Sequence, residues 1–335
     1  MIIDWTEFRS AVERARNVIV VGHIRPDGDT IGSLLAMKRA LTQLGKRVLL
    51  LDGHSVPPSL RFADPSGDVK KIALTTREER AFAASADLVM ALDVSSWAQL
   101  GPDASEYFKP GSNGVKVVID HHAVADQIGD ARFVDPDSDS AGSLVFEAIK
   151  ALGVPFTKEI AEPLYVAIAS DTGWFRFQTT NAGTFRRAAE LVEAGVNPAE
   201  LYRELYEQET YGRFKLLGEL AGGAERFLDG RGVFMRLSQE DFAKANAAMT
   251  DSEDLVNLPL SVAGTEVSVL AVQQKDGSVK ASFRSRCALD CAVLAREFGG
   301  GGHARAAGAT CQGDFEAACF DFKLETEKRY AALKR

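Results

Sequence analysis

Residues 17–33, NVIVVGHIRPDGDTIGS, decide how the chain is to be read. Val18, Ile19, Val20 and Val21 form an unbroken β-branched run, the pattern of a strand covered on both faces in a parallel sheet. The strand runs into a loop carrying His23, Asp27 and Asp29. From Thr30 to Leu44 apolar residues recur at helical spacing (Ile31, Leu34, Leu35, Met37, Leu41, Leu44), and Gly45 stands where a left-handed residue ends a helix. An imidazole and two carboxylates at such a junction can hold a hard divalent cation, and the free amides of the helix N-terminus suit an anion. Pro-Asp-Gly-Asp is equally ordinary turn chemistry, so the loop alone does not decide between the two.

Repetition decides. DLVMALDVSS (87–96) is a second apolar strand ending at an acid, Asp93, and GVKVVIDHHAVAD (114–126) a third, ending in Asp120, His121 and His122. KEIAEPLYVAIASDTGWF (158–175) reads as an apolar helix, interrupted only by Pro163, with Asp171 at its C-terminal end. The helix dipole disfavours a carboxylate there, so a compensating cation is expected. In open α/β sheets the carboxyl ends of the strands share one crevice.

Around these elements, DWTEFRSAVERAR (4–16) predicts a leading helix, RVLLLD (47–52) and VKKIAL (69–74) strands, TREERAFAASA a surface helix, and DSDSAGSLVFEAIKALG (137–153) a capped helix. Alternation of β and α to about residue 180 implies a doubly wound, mostly parallel α/β sheet. Residues 181–222 read as helical throughout, with Asn197-Pro198 restarting the helix. A smaller α/β unit follows, with strands in RGVFMRLS, EVSVLAVQQ and SVKASFRSR, a KDG hairpin turn, helices in SQEDFAKANA and LDCAVLAREF, a glycine tract at 299–302 and an amphipathic segment from Asp314. The expected organisation is an N-terminal domain over 1–185, a helical connector over 186–225 and a smaller α/β domain over 226–335.

Composition narrows the function. No apolar run approaches the roughly 20 residues needed to cross a bilayer, and the acidic, amphipathic N-terminus is unlike a signal peptide, so a cytoplasmic protein is expected. Cys287, Cys291, Cys311 and Cys319 lack paired C-x-x-C spacing, which points away from a disulfide framework or structural zinc. A net charge of −8 argues against binding long duplex nucleic acid. Small anionic substrates remain open, because bound divalent cations reverse the local sign of an acidic site.

His23, Asp27, Asp29, Asp93, His121, His122 and Asp171 are thus candidate ligands. Imidazole and carboxylate donors without thiolate suit Mn²⁺, Mg²⁺ or Fe²⁺. Six or seven donors exceed the needs of one ion and imply two divalent metal ions, about 3.5–4 Å apart, the arrangement used for in-line attack on phosphorus.

In order along the chain, GHIRPDGDTIGS, ALDVSS, VIDHH and ASDTGWF resemble the four motifs of the DHH phosphoesterase superfamily. FRSR and GGGGHARAAGA resemble its DHH-associated nucleic-acid-binding domain. The two-domain layout is similar to the nanoRNase/pAp phosphatase group, which implies hydrolysis of short RNA oligonucleotides and of small phosphorylated nucleotides such as 3'-phosphoadenosine 5'-phosphate (pAp). Bacterial c-di-AMP and pApA phosphodiesterases share the layout and stay open as an alternative, as does a non-catalytic nucleotide sensor; family II pyrophosphatases lack the glycine–histidine tract.

The resemblance implies two ions, usually manganese, with His23, Asp27 and Asp93 on one, Asp29, Asp93, His121 and Asp171 on the other, and Asp93 bridging. It implies that His122 meets the scissile phosphate and that Asp120 orients the neighbouring histidines. Gly300, Gly301, Gly302, His303 and Arg305, with Arg284 and Ser285, are expected to grip the distal phosphate and nucleoside. On composition alone the glycine tract is also readable as a flexible connection. Phe175, Arg176 and Phe177 read either as a base-stacking platform or as core. No membrane partner is expected, and a homodimer is compatible with all of this.

Overall fold

The computed structural model describes residues 3–333. Its chain divides into two compact units, the first ending at Glu207 and the second beginning at Gln208.

The first unit comprises α1 (Thr6–Arg14), β1 (Asn17–Val21), α2 (Gly28–Gln43), β2 (Arg47–Asp52), β3 (Val69–Lys71), α3 (Arg77–Ala84), β4 (Leu88–Leu92), α4 (Trp97–Ser105), β5 (Val115–Asp120), β6 (Ala131–Val134), α5 (Ala141–Ala151), α6 (Lys158–Asp171), α7 (Ala182–Glu193) and α8 (Pro198–Tyr206). Its six strands pair entirely in parallel in the order β3-β2-β1-β4-β5-β6. The strand order therefore reverses between β1 and β4, and a crevice opens at the carboxyl ends of those two strands. Alternate strand residues serve two cores, as a doubly covered sheet demands. Val18, Val20, Leu50, Met90, Val117 and Ile119 pack with α1, α2, α5 and α6, while Ile19, Val21, Leu51, Val89, Ala91 and Val118 pack with α3 and α4. Each such fully buried aliphatic side chain contributes about 1.5–3 kcal/mol.

Helices α2 and α6 cross closely. A Cβ on Gly32 would lie 2.2 Å from the Pro163 carbonyl oxygen. Pro163 has no N–H for the carbonyl of Glu159 one turn earlier, and that carbonyl instead accepts a hydrogen bond from the Arg39 guanidinium of α2. The proline thus sits inside α6 without leaving an orphaned acceptor. Gly45 and Gly153 end α2 and α5 with φ of 75° and 71°, as the sequence predicts.

Several expectations change. Residues 72–74 form a 3₁₀ turn and do not extend β3. Helix α4 and strand β6 have no counterpart in the sequence reading. Helix α6 stops at Asp171 instead of continuing to 175, because Gly173, Trp174 and Phe175 turn at φ of 56°, 56° and 63°. The stretch 186–225 is divided between the two units.

The second unit comprises α9 (Tyr211–Gly222), β7 (Glu225–Phe227), β8 (Gly232–Leu237), α10 (Gln239–Ala245), β9 (Val267–Gln273), β10 (Val279–Ser285), α11 (Cys291–Arg296), β11 (Gly301–His303), β12 (Ala306–Cys311) and α12 (Phe315–Ala332). The strands form one mixed sheet, β11-β12-β10-β9-β8-β7, in which only β8 and β9 run parallel. One face, carrying Val267, Val269, Ala281 and Phe283, packs with α11 and α12. The other, carrying Val233, Met235, Leu237, Leu270 and Val272, packs with α9 and α10.

The glycine tract is no flexible connection: Gly301, Gly302 and His303 pair with Gly308, Ala307 and Ala306 as the edge strand. Gly300 and Gly302 are needed for that approach, since a Cβ on either would meet the backbone of β12 at 2.2 and 2.7 Å.

Candidate metal centre

Each candidate ligand of the first unit is carried to the crevice at the strand-order reversal by an element whose geometry fixes its side chain. Nδ1 of His23 donates to the carbonyl of Ile24 at 2.8 Å, which leaves Nε2 as the free ring nitrogen. Asp27 is the N-cap of α2. Its Oδ1 accepts the Asp29 and Thr30 amides at 3.0 and 3.1 Å, so Oδ2 is turned outward, 3.7 Å from His23 Nε2.

Asp29 is buried in the first turn of α2. Its two oxygens accept the amides of Ala141 and Gly142, at the N-terminus of α5, at 2.7 Å each. Asp93 immediately follows β4 with φ of 61°, a left-handed backbone that a non-glycine residue adopts at a cost, and it is 2% exposed. His121 and His122 follow β5, and Asp171 is the last residue of α6.

The distances sort these groups around Asp93. Its Oδ2 lies 3.3 Å from His23 Nε2, whereas its Oδ1 lies 3.7 Å from His121 Nε2. His121 Nε2 also faces Asp29 Oδ2 at 3.8 Å and Asp171 Oδ2 at 3.6 Å. Two compact donor sets result, His23–Asp27–Asp93 and Asp29–His121–Asp171, each with its ligand atoms within 4.8 Å of one another. A third grouping of the same span joins Asp93, His121 and His122.

The histidine pair is held by two different acceptors. Asp120, wholly buried, accepts His122 Nδ1 at 2.7 Å, while His121 Nδ1 lies 3.4 Å from the Ser138 carbonyl. Asp120 therefore orients His122, and Ser138 takes the corresponding place beside His121.

The electrostatics fit a cation. Burial, and then the charges of Asp93, Asp171 and Asp27, push the Asp29 carboxyl well above the usual carboxylate range, against the pull of the Ala141 amide. Burial also raises Asp171; His121 pulls it down, and Asp93 and Asp27 push it further up. Burial alone would lower the pKa of His23, but Asp27 and Asp93 outweigh it and carry the imidazole up to about 11. The hydrogen bond from His122 to Asp120 raises the pKa of His122 against its burial. Convergent carboxylates that repel one another, with imidazole Nε2 atoms aimed among them, are what divalent cations of borderline to hard character require.

The candidates of the second unit do not all converge. Arg284 and His303 share a sheet face, since both pair in register with Ala306. Arg284 donates to Asn257 Oδ1 at 3.0 Å and lines a hollow of about 350 Å³ with Lys280 and Ser282. Ser285 points to the opposite face, as a strand neighbour must, and is 4% exposed. Its hydroxyl bonds to the Cys287 backbone, which also accepts the Arg305 guanidinium.

Phe175 packs into an aromatic group with Tyr165 and Phe185. Phe177 is 53% exposed, and its ring lies against Gly173. Thr30, Ser138, Ala141 and Gly142 touch the ligands directly, yet carry no signal that singles them out in the sequence.

An all-parallel doubly wound sheet with imidazoles and carboxylates gathered at its strand-order reversal defines an α/β protein built around a candidate metal centre. The model of the DHH family, N-terminal domain, matches residues 17–168, and that of the DHHA1 domain matches residues 232–327. The "Bifunctional oligoribonuclease and PAP phosphatase NrnA" of Thermus thermophilus is 33% identical over 319 residues, covering 92% of this chain and 90% of that protein. A Streptococcus agalactiae protein named "Probable manganese-dependent inorganic pyrophosphatase" is 27% identical over 243 residues, 71% of this chain and 75% of its own. The crystal structure of an exopolyphosphatase-related protein from Bacteroides fragilis superposes with a TM-score of 0.80 at 28% identity, over 98% of this chain and 97% of that one. The chain belongs to the DHH family, and it is built from a DHH domain followed by a DHHA1 domain.

Proposed function

We propose that the protein is a two-metal phosphoesterase that hydrolyses very short oligoribonucleotides and removes the 3'-phosphate of pAp. The observation that carries this reading is the division of Asp93, one oxygen toward His23 and the other toward His121. A carboxylate presented in that way suits a bridge between two cations. The relative in Thermus thermophilus, similar over nine-tenths of both chains, supports the substrate class by its name.

In this reading His23, Asp27 and Asp93 would hold one ion, and Asp29, Asp93, His121 and Asp171 would hold the other. Manganese is the ion we assign, in keeping with the donor chemistry and with the name of the streptococcal relative. Two such ions, when bound, supply an activated water and a concentrated positive field.

The protein's own groups do the rest. His122, with Nδ1 committed to Asp120 and its ring partly exposed, presents Nε2 to a non-bridging oxygen of the scissile phosphate. Arg284 and His303, on one sheet face, supply donors for a second phosphate or a base edge. Attack by water on phosphorus breaks one P–O bond and gives an alcohol and a phosphate monoester, or inorganic phosphate from pAp. Four free thiols suit a reducing compartment, and we place the protein in the cytoplasm.

The test is hydrolysis of pAp, a diribonucleotide, a pentaribonucleotide, a long single strand and cyclic diadenylate by metal-stripped protein with and without Mn²⁺. Turnover of pAp and the short RNAs, strictly dependent on Mn²⁺ and lost in Asp93→Ala, is the expected result. Comparable cleavage of the long strand, or preference for the cyclic dinucleotide, would overturn the substrate assignment. Activity retained in Asp93→Ala would overturn the ligand assignment.

A further inference from the structure

We infer that Thr30 is the positioning residue that sets the orientation of the Asp93 carboxylate, and that Gly22 is the space that locks Thr30 in its working rotamer. This rests on the metal-centre reading above.

Thr30 is wholly buried, and it reaches two candidate ligands from different segments. Its backbone amide donates to Asp27 Oδ1 at 3.1 Å, and its hydroxyl donates to Asp93 Oδ2 at 2.7 Å. The hydroxyl also lies 3.4 Å from Asp27 Oδ1, but it has one proton, and Asp27 Oδ1 already accepts two amides. The proton therefore belongs to Asp93.

That bond does more than satisfy a buried oxygen. It fixes the rotation of the carboxylate about its Cβ–Cγ axis, with Oδ2 between Thr30 and His23 and Oδ1 left toward His121. Without the hydroxyl, His23 is the polar group left facing Oδ2 among the described residues.

The rotamer of Thr30 is fixed from the other side. Its methyl carbon lies 2.2 Å from where a Cβ on Gly22 would stand, so the glycine leaves the pocket that the methyl fills. A β-branched residue in a helix has few χ1 states, and filling one with the methyl aims the oxygen. Gly22, at the end of β1, thus acts on a carboxylate at the end of β4 through a side chain of α2.

The experiment measures Mn²⁺ binding to the full chain by electron paramagnetic resonance of the free ion, beside the melting temperature in EDTA. Thr30→Val keeps the shape and removes the donor; it is expected to weaken Mn²⁺ affinity about 10–100-fold, with the metal-free melting temperature lowered by a few degrees for the buried Asp93 oxygen that loses its donor. Thr30→Ser keeps the donor and is expected to stay within about fivefold of the parent, far above Thr30→Val. Gly22→Ala, which displaces the methyl with the hydroxyl still present, is expected to reproduce the loss, and it decides the matter if Thr30→Val does not fold. Parent-like affinity in Thr30→Val overturns the role of the hydroxyl, as does equal loss in Thr30→Ser and Thr30→Val. Parent-like affinity in Gly22→Ala overturns the lock. A parent chain that binds no Mn²⁺ would remove the metal centre, and Thr30's role with it, which separates that failure from the others.

Discussion

Neutralising Asp171 should make the metal-free protein more stable and the metal-bound protein less so. The ligand atoms of Asp29, His121 and Asp171 lie within 4.8 Å of one another. Two full negative charges at that separation repel by about 3.5 kcal/mol at an effective dielectric near 20. The Asp171 side chain is 35% exposed and faces His121 at 3.6 Å, so screening and that attraction reduce the net cost to about 1 kcal/mol. Asp171→Asn should therefore raise the melting temperature in EDTA by about 2–4 °C.

With Mn²⁺ at about 100 times its dissociation constant, each bound ion adds about 2.7 kcal/mol, and the parent should gain about 5–10 °C per ion. The variant, short of one donor, should gain clearly less. The pH dependence has a definite sign. Burial, and behind it Asp93 and Asp27, raise the Asp171 pKa, so the native state binds the proton more tightly than the unfolded chain does. Metal-free stability then falls as pH rises from the ordinary carboxylate value through the raised one, and this slope should be shallower in Asp171→Asn. Scanning calorimetry in EDTA and in Mn²⁺ measures all three quantities. A lower metal-free melting temperature in the variant, or an undiminished gain on adding Mn²⁺, would refute the reasoning.

Further outcomes follow from other residues. His23, raised to about 11 chiefly by Asp27 and Asp93 against its burial, stabilises the metal-free protein below about pH 6.5, an effect lost as pH approaches 11. Metal binding must displace that proton, so Mn²⁺ affinity should rise with pH, and calorimetry in buffers of different ionisation enthalpy should detect proton release; pH-independent affinity would contradict it. Gly142→Ala should destabilise by about 1–3 kcal/mol in urea titrations, because the new Cβ would lie 2.5 Å from that of Ala167 and 3.1 Å from Asp29 Oδ1; Gly301→Ala, with open space at that position, should be near neutral. Arg284→Ala should raise KM for pAp about 10–100-fold with kcat little changed, the loss of a charge-assisted hydrogen bond; a fall confined to kcat would move Arg284 into the chemical step.

What could be read from sequence was whatever local pattern specifies. The strands of the parallel sheet announce themselves as apolar runs, and the acids and histidines at their ends stand out because burial of charge needs a partner. Strand β6 escaped because ARFV is short and only alternately buried, and α4 because Gly101 and Pro102 interrupt its helical pattern. The glycine tract looked like a loop because its glycines answer a tertiary demand, close contact with β12, that leaves no local trace. Placing Arg284 and Ser285 in one grip ignored the period-two rule for strand neighbours, which the structure enforces. Thr30 and Gly22 could not have been found without knowing that β1 and β4 are adjacent.

The order in which the donors occur along the chain bears on how the protein is made. During translation the His23–Asp27–Asp93 set is complete once residue 93 has left the ribosome, but the other set waits for residue 171 and for the helix that carries it across α2. A truncated product ending between those two points would own half a centre with no α6 to cover it.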